Sequence, residues 1–162
     1  MTRAELALLL DHSVLKPEAT ERDIRSGADI VRNWRIGYYC VQPIWVRAAA
    51  DALEGTGARV VAVVGFPHGC ERTAAKVTAA EIALADGATE LDMVVNLGAL
   101  KGGDGAAVGS DIAAVVRAAQ GLPVKVILET RALLAIEKRI GCRLTRDAGA
   151  AFVKTSTGFH AA

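Results

Sequence analysis

A single lysine stands inside the apolar segment that begins at position 150. The segment reads Ala-Ala-Phe-Val-Lys-Thr-Ser-Thr-Gly-Phe, and its Lys154 falls where a buried β-strand is predicted. A buried ammonium without a partner is costly, so such a group tends to give up its proton. A neutral amine attacks carbonyl carbon, which makes Lys154 a candidate for forming a Schiff base. The alternative is that Lys154 lies at the strand end and its amine reaches solvent.

Polar residues occur at the same phase of two other apolar segments, 89–96 and 123–130. Side chains alternate between the two faces of a strand, so every second residue shares a face. The polar residues that share a face in this way are Glu90, Asp92 and Asn96 in the first segment, and Lys125 and Glu129 in the second. In a barrel, the inner faces of the strands line the centre and the outer faces pack under helices. We therefore expect these polar side chains to converge with Lys154.

Two of these side chains also have ordinary structural explanations. Glu129 could form an ion pair with Lys125 or with an arginine, since structural ion pairs perturb charged groups as well. Asn96 could cap a helix that follows it. Both alternatives stay open at the level of sequence.

Helices are predicted between the strands. The predicted strands are 12–15, 38–41, 59–65, 89–96, 123–130 and the run around Lys154, and the predicted helices are 3–10, 20–34, 43–53, 71–86, 110–120 and 133–148. Strand and helix alternate without a break, an order typical of a parallel sheet with right-handed crossovers. We expect the glycine-rich segment 102–105 to be a flexible turn.

Composition and charge indicate one globular domain, 1–162, in the cytoplasm. The chain is 52% hydrophobic and 23% charged, and its formal net charge of +1 offers no basic surface for nucleic acid or anionic membrane. Its apolar runs are too short to span a bilayer, and its start lacks the pattern of a signal peptide. The three cysteines are far apart, as expected of free thiols in a reducing compartment. Histidine and cysteine spacing favours no metal site.

Five segments resemble the deoxyribose-phosphate aldolase family, in the same order and with similar gaps. They are LDHSVLKP at 10–17, VVGFPHG at 63–69, GATELDMVVN at 87–96, VKVILET at 124–130 and FVKTSTGF at 152–159. The resemblance implies a TIM (β/α)8 barrel and a class I aldolase that uses neither metal nor other cofactor. Such an enzyme cleaves 2-deoxyribose 5-phosphate to glyceraldehyde 3-phosphate and acetaldehyde, so a sugar phosphate and aldehydes are the expected partners. A homo-oligomer is expected too.

The resemblance also assigns residues by position. It makes Lys154 the Schiff-base lysine and Asp92 the carboxylate that relays protons through water, and it places Lys125, Cys40 and Asp11 in the same pocket. The chemistry is consistent, because retro-aldol cleavage needs an electron sink next to the breaking bond and a protonated imine supplies one. Lys125 on the neighbouring strand would be a second cation that favours a neutral Lys154.

The chain departs from the family at its end. The family has a seventh strand with a Lys-x-Ser/Ala-Gly-Gly motif, whose lysine neighbours the Schiff-base lysine, and its last two strands build most of the phosphate site. A barrel of eight units needs about 200 residues, and the 162 residues here accommodate about six strands. We expect an incomplete barrel with exposed edges and a tendency to associate. Two other functions stay open: an inactive remnant that serves as an oligomerising or binding module, and a Schiff-base barrel enzyme for a related sugar phosphate.

Overall fold

The computed structural model describes residues 1–160, in which strands and helices alternate as the sequence predicts. The strands are β1 (Asp11–Val14), β2 (Tyr38–Val41), β3 (Arg59–Val64), β4 (Glu90–Val94), β5 (Val124–Ile127) and β6 (Phe152–Lys154). The helices are α1 (Arg3–Ala7), α2 (Glu21–Trp34), α3 (Val46–Ala52), α4 (Thr73–Ala85), α5 (Leu97–Lys101), α6 (Gly105–Ala118) and α7 (Ala135–Asp147). No helix in this described range has the length and apolarity needed to cross a membrane.

The chain divides into two compact units. The first comprises Met1–Val63 with Ile82–Glu90, and the second comprises Val64–Glu81 with the chain from Leu91 onward. The expectation of a single domain stays a prediction.

In the first unit, β1 pairs in parallel with β2, and β2 with β3. Helix α2 buries Ile24, Ala28 and Val31 on one stripe, the spacing of an amphipathic helix. The hydroxyl of the buried Tyr39 donates a 2.8 Å hydrogen bond to the Ile24 carbonyl. A glycine is required at position 27, because a Cβ there would lie 2.3 Å from the Tyr39 hydroxyl oxygen.

In the second unit, β4 pairs in parallel with β5, and β5 with β6. The residues facing away from the polar set, such as Leu91, Met93 and Val126, are buried. Helix α6 contributes Ile112 and Val115 to the buried apolar set. The polar faces of β4 and β5 are thus backed by an apolar core.

Several predicted boundaries are wrong for local reasons. Helix α6 begins at Gly105 and not at Ser110, because the Asp104 side chain caps it by accepting a 2.9 Å hydrogen bond from the Ala107 N–H. The segment expected to be a flexible turn therefore contains a helix start. Strand β5 ends at Ile127, before the predicted end of the strand. Helix α5 was not among the predicted elements.

Candidate functional site

Three charged side chains from three adjacent strands meet on one face of the second unit. Asp92 comes from β4, Lys125 from β5 and Lys154 from the end of β6. The Lys125 Nζ lies 3.4 Å from Asp92 Oδ1, and the Lys154 Nζ donates a hydrogen bond to Asp92 Oδ2. One carboxylate thus lies between two ammonium groups.

Strand register explains why these side chains meet. Asp92 is the register partner of Lys125, whose partner on β6 is Phe152. Lys154 is the partner of Ile127, one layer closer to the carboxyl ends of the strands. The Lys125 Nζ lies 5.9 Å from the centre of the Phe152 ring. The predicted convergence is confirmed for Asp92, Lys125 and Lys154.

The three charged side chains differ in their exposure to solvent. The side chain of Asp92 is fully buried, whereas those of Lys125 and Lys154 remain 15% and 28% exposed. Lys154 is the last residue of its strand, as the solvent-reaching alternative supposed. Its amine nevertheless bonds to a buried carboxylate. The arrangement can exchange a proton between amine and carboxylate while the amine stays open to a small carbonyl compound.

The loop that follows Lys154 is anchored by Glu129. This residue is 3% exposed and adopts a left-handed backbone with φ of 52°, a conformation uncommon for a non-glycine residue. Its Oε2 accepts a 3.1 Å hydrogen bond from the Thr157 N–H and another from the Thr157 hydroxyl. Among the described residues, the partner of Glu129 is therefore Thr157, and not Lys125 or an arginine. A direct role for Glu129 in a pocket stays a prediction.

The same loop is held by a hydrogen bond within it and by contact with an aromatic ring outside it. The Thr157 hydroxyl oxygen accepts a 3.0 Å hydrogen bond from the Phe159 N–H. The Phe159 ring meets the edge of Phe66 at 5.2 Å between ring centres. Loop 155–159 is thus held in a defined conformation at the carboxyl end of β6.

Asn96 has the structural role that the sequence left open. Its side-chain oxygen accepts a 3.0 Å hydrogen bond from the Ala99 N–H and caps helix α5. A pocket role for Asn96 is untested and stays a prediction.

The other two predicted pocket residues belong to the first unit. Ser13 pairs with Cys40, and Asp11 pairs with Tyr38, so Asp11 and Cys40 lie on the same face of the β1–β2 pair. Cys40 is buried and Asp11 is half-buried. That both line one pocket with Lys154 stays a prediction.

Comparison with known proteins decides the family. No family model matches the chain. The deoxyribose-phosphate aldolases of Bacillus mycoides and Clostridium botulinum are 46% and 43% identical to it over 155 residues, which are 95% and 96% of this chain and 70% and 73% of theirs. The chain belongs to the deoxyribose-phosphate aldolase family.

Solved structures of such aldolases confirm the fold class. The structure of the Aeropyrum pernix deoxyribose phosphate aldolase, described as a unique tetramer, superposes with a TM-score of 0.91 at 31% identity, covering 98% of this chain and 67% of that one. A Coccidioides immitis structure assigned to the same activity has a TM-score of 0.96 at 39% identity and covers 99% of this chain. The chain spans 64% of the length of that structure. The fold is that of the TIM-barrel family, with six parallel strands alternating with helices in the described part.

Sequence reasoning missed a buried lysine in this chain. In helix α4, Lys76, Ala80 and Ala83 are buried, whereas the more apolar Val77 and Leu84 are only half-buried. The spacing of Lys76, Ala80 and Ala83 is that of a helix face, and this spacing is the signal that could have found Lys76. Its partner is Asp111, which lies on the buried stripe of α6 with Val108 and Val115.

Proposed function

We propose that the chain is a class I deoxyribose-phosphate aldolase that cleaves 2-deoxy-D-ribose 5-phosphate to glyceraldehyde 3-phosphate and acetaldehyde through a Schiff base on Lys154. The observation that carries this proposal is the hydrogen bond between the part-exposed Lys154 amine and the buried Asp92 carboxylate. The substrate class and the reaction type are those named for the related deoxyribose-phosphate aldolases.

The first half of the reaction forms the imine. Asp92 takes a proton from Lys154, and the free amine attacks the C1 aldehyde of the open-chain sugar phosphate. The resulting carbinolamine loses its hydroxyl as water, with a proton returned through Asp92, and leaves a protonated imine. Lys125 contributes here because a second cation 3.4 Å from the same carboxylate competes for its charge, which favours the neutral form of Lys154.

The second half breaks the carbon–carbon bond. Removal of the proton from the C3 hydroxyl sends the C2–C3 electron pair into the iminium, which releases glyceraldehyde 3-phosphate and leaves an enamine. Protonation of the enamine at C2 and hydrolysis then release acetaldehyde and regenerate Lys154. Asp92, directly or through one water, is the acid and base in reach of these atoms.

We also propose that the enzyme self-associates in the cytoplasm. The Aeropyrum pernix aldolase is tetrameric by its description. Cys40, Cys70 and Cys142 are free thiols, which supports a reducing location.

Trapping tests the Schiff base. The chain is incubated with acetaldehyde and reduced with borohydride, and modified lysines are located by mass spectrometry. A reduced two-carbon adduct is expected at Lys154, absent in Lys154→Met and retained in Lys101→Met, a change at an exposed lysine of the same unit. Adducts spread evenly over surface lysines would refute the proposed role.

A direct assay of 2-deoxyribose 5-phosphate cleavage tests the substrate. Release of glyceraldehyde 3-phosphate that is lost in Lys154→Met supports the proposal. An adduct at Lys154 without cleavage would point to a related sugar phosphate, and neither adduct nor cleavage would point to an inactive binding module.

A further inference from the structure

A buried ion pair within the second unit joins helix α4 to helix α6. The Lys76 Nζ of α4 donates a 2.6 Å hydrogen bond to Asp111 Oδ2 of α6, and the two side chains are 0% and 6% exposed. The Thr73 hydroxyl donates a 2.8 Å hydrogen bond to the other oxygen, Asp111 Oδ1. Both oxygens of the Asp111 carboxylate therefore accept a hydrogen bond. These two bonds fix the orientation of the carboxylate that binds Lys76.

The same amine reaches a strand end. The Lys76 Nζ donates a 3.1 Å hydrogen bond to the carbonyl of Val94, the last residue of β4. The stem of Lys76 also lies close to Gly65, where a Cβ would stand 2.9 Å from Lys76 Cε. Lys76 is therefore confined by α6, by the end of β4 and by the backbone at Gly65.

The Val94 carbonyl, which accepts the Lys76 hydrogen bond, is close in sequence and register to the candidate site. Val94 follows Asp92 by two residues on β4, and its register partner Ile127 pairs in turn with Lys154. A shift of the β4 end would therefore change the Asp92 position relative to Lys154. Because a buried ion pair is often replaceable by apolar residues without loss of stability, stability alone does not explain an ammonium at this place.

We propose that Lys76 is a positioning residue of this aldolase: by holding the Val94 carbonyl it fixes the carboxyl end of β4 and keeps the Asp92 carboxylate against Lys154. Asp111 and Thr73 hold Lys76 in place for this task. The inference rests on the proposed function for the catalytic value of the Asp92–Lys154 contact. The contact itself can be measured without substrate.

The decisive variant is the double substitution Lys76→Met with Asp111→Leu, which removes both buried charges together and leaves neither unpaired. Lys101→Met is the matched control, because it removes a lysine of the same unit whose amine bonds to the Ala132 carbonyl at 2.7 Å. Thermal unfolding and circular dichroism establish that each variant is folded.

The first readout is the reactivity of Lys154 towards trace acetic anhydride, lysine by lysine, by mass spectrometry. Asp92 favours the ammonium form of Lys154, so a loosened contact should make Lys154 react about threefold or more faster at neutral pH in the double variant. The control should label Lys154 at the wild-type rate. The second readout is cleavage of 2-deoxyribose 5-phosphate, in which kcat should fall about tenfold with KM little changed, as expected of a displaced catalytic group.

A folded double variant with wild-type Lys154 labelling would overturn the proposal and leave the ion pair a purely structural one. If the double variant does not fold, Thr73→Val tests the proposal instead. It removes the hydrogen bond that the Thr73 hydroxyl donates to Asp111, and Thr73 lies at the exposed start of α4. It should raise Lys154 labelling in the same direction by a smaller factor, and unchanged labelling would overturn the proposal. A wild-type chain without cleavage would refute the proposed function, whereas the labelling comparison would still test the positioning role.

Discussion

Asp92 and Lys125 are register partners on adjacent strands, and the Asp92 Oδ1 lies 3.4 Å from the Lys125 Nζ. The same carboxylate accepts a hydrogen bond from Lys154 through its other oxygen. A single buried carboxylate therefore divides its charge between two cations. This division predicts different outcomes for the removal of each partner.

Lys125→Met should slow imine formation at Lys154. Without the competing cation, the Asp92 charge acts on Lys154 alone and favours its protonated form. We expect the rate of the acetaldehyde adduct at neutral pH to fall about tenfold and its pH profile to move to higher pH. Lys125→Arg, which keeps the charge, should recover most of the rate. Equal losses in Met and Arg variants would contradict this explanation.

Asp92→Asn should damage turnover far more than folding. The asparagine keeps the shape of the side chain but neither accepts the Lys154 proton nor returns it. We expect cleavage of 2-deoxyribose 5-phosphate to fall about a hundredfold or more, the usual scale for lost acid–base catalysis. Cleavage is followed by glyceraldehyde 3-phosphate release, with circular dichroism as the folding control. Unchanged turnover would remove Asp92 from the mechanism.

The alternation of residue types was sufficient to predict that six strands form and that Asp92, Lys125 and Lys154 meet, but not where each strand ends. Asp92, Lys125 and Lys154 each interrupt an apolar run, and the parallel order of β4 to β6 follows from the intervening helices. The left-handed backbone of Glu129 was not predictable, because the strand pattern continues through it while β5 ends at Ile127. Its bond to Thr157 depends on a loop 28 residues away.

The Lys76–Asp111 ion pair could not be predicted from the sequence for a different reason. A lysine in a helix rich in good helix formers is usually an exposed residue. Its burial depends on the packing of α4 and α6, and its partner lies 35 residues away. The pattern of residues in a helix indicates which of its faces is buried. It does not indicate which other helix packs against that face.

Glu129→Ala should loosen loop 155–159 and leave Lys154 reactive. The substitution removes two hydrogen bonds to Thr157, and bonds to a charged acceptor are the stronger kind. We expect faster amide hydrogen exchange in the peptide containing Thr157 and Phe159, and KM for the sugar phosphate raised about tenfold. The acetaldehyde adduct at Lys154 should still form. Unaltered exchange in that peptide would refute the anchoring role.

Asp23→Asn should destabilise the fold at neutral pH but not in acid. The Thr20 hydroxyl and the Thr20 N–H donate hydrogen bonds of 2.6 and 2.8 Å to Asp23, and these bonds lower its pKa below the ordinary 3.8. Because the folded pKa is the lower one, the stabilisation is complete above about pH 5 and disappears as pH falls through the folded pKa. Tm measured across pH should show the difference between variant and wild type vanishing at low pH. Asp29→Asn, at an exposed residue of the same helix, is the control.

Thr145→Val should stabilise the protein. Thr145 in α7 is 1% exposed, and its hydroxyl oxygen has no hydrogen-bond partner within the described range. Valine has nearly the same shape and the same β-branching, so the substitution removes a desolvated polar group without opening a cavity. We expect the free energy of unfolding to rise by about 1 kcal/mol, measured by urea denaturation. The matched control is Thr157→Val, which should lower that free energy because its hydroxyl bonds to Glu129. A destabilised Thr145→Val variant would show that the Thr145 hydroxyl is satisfied in solution.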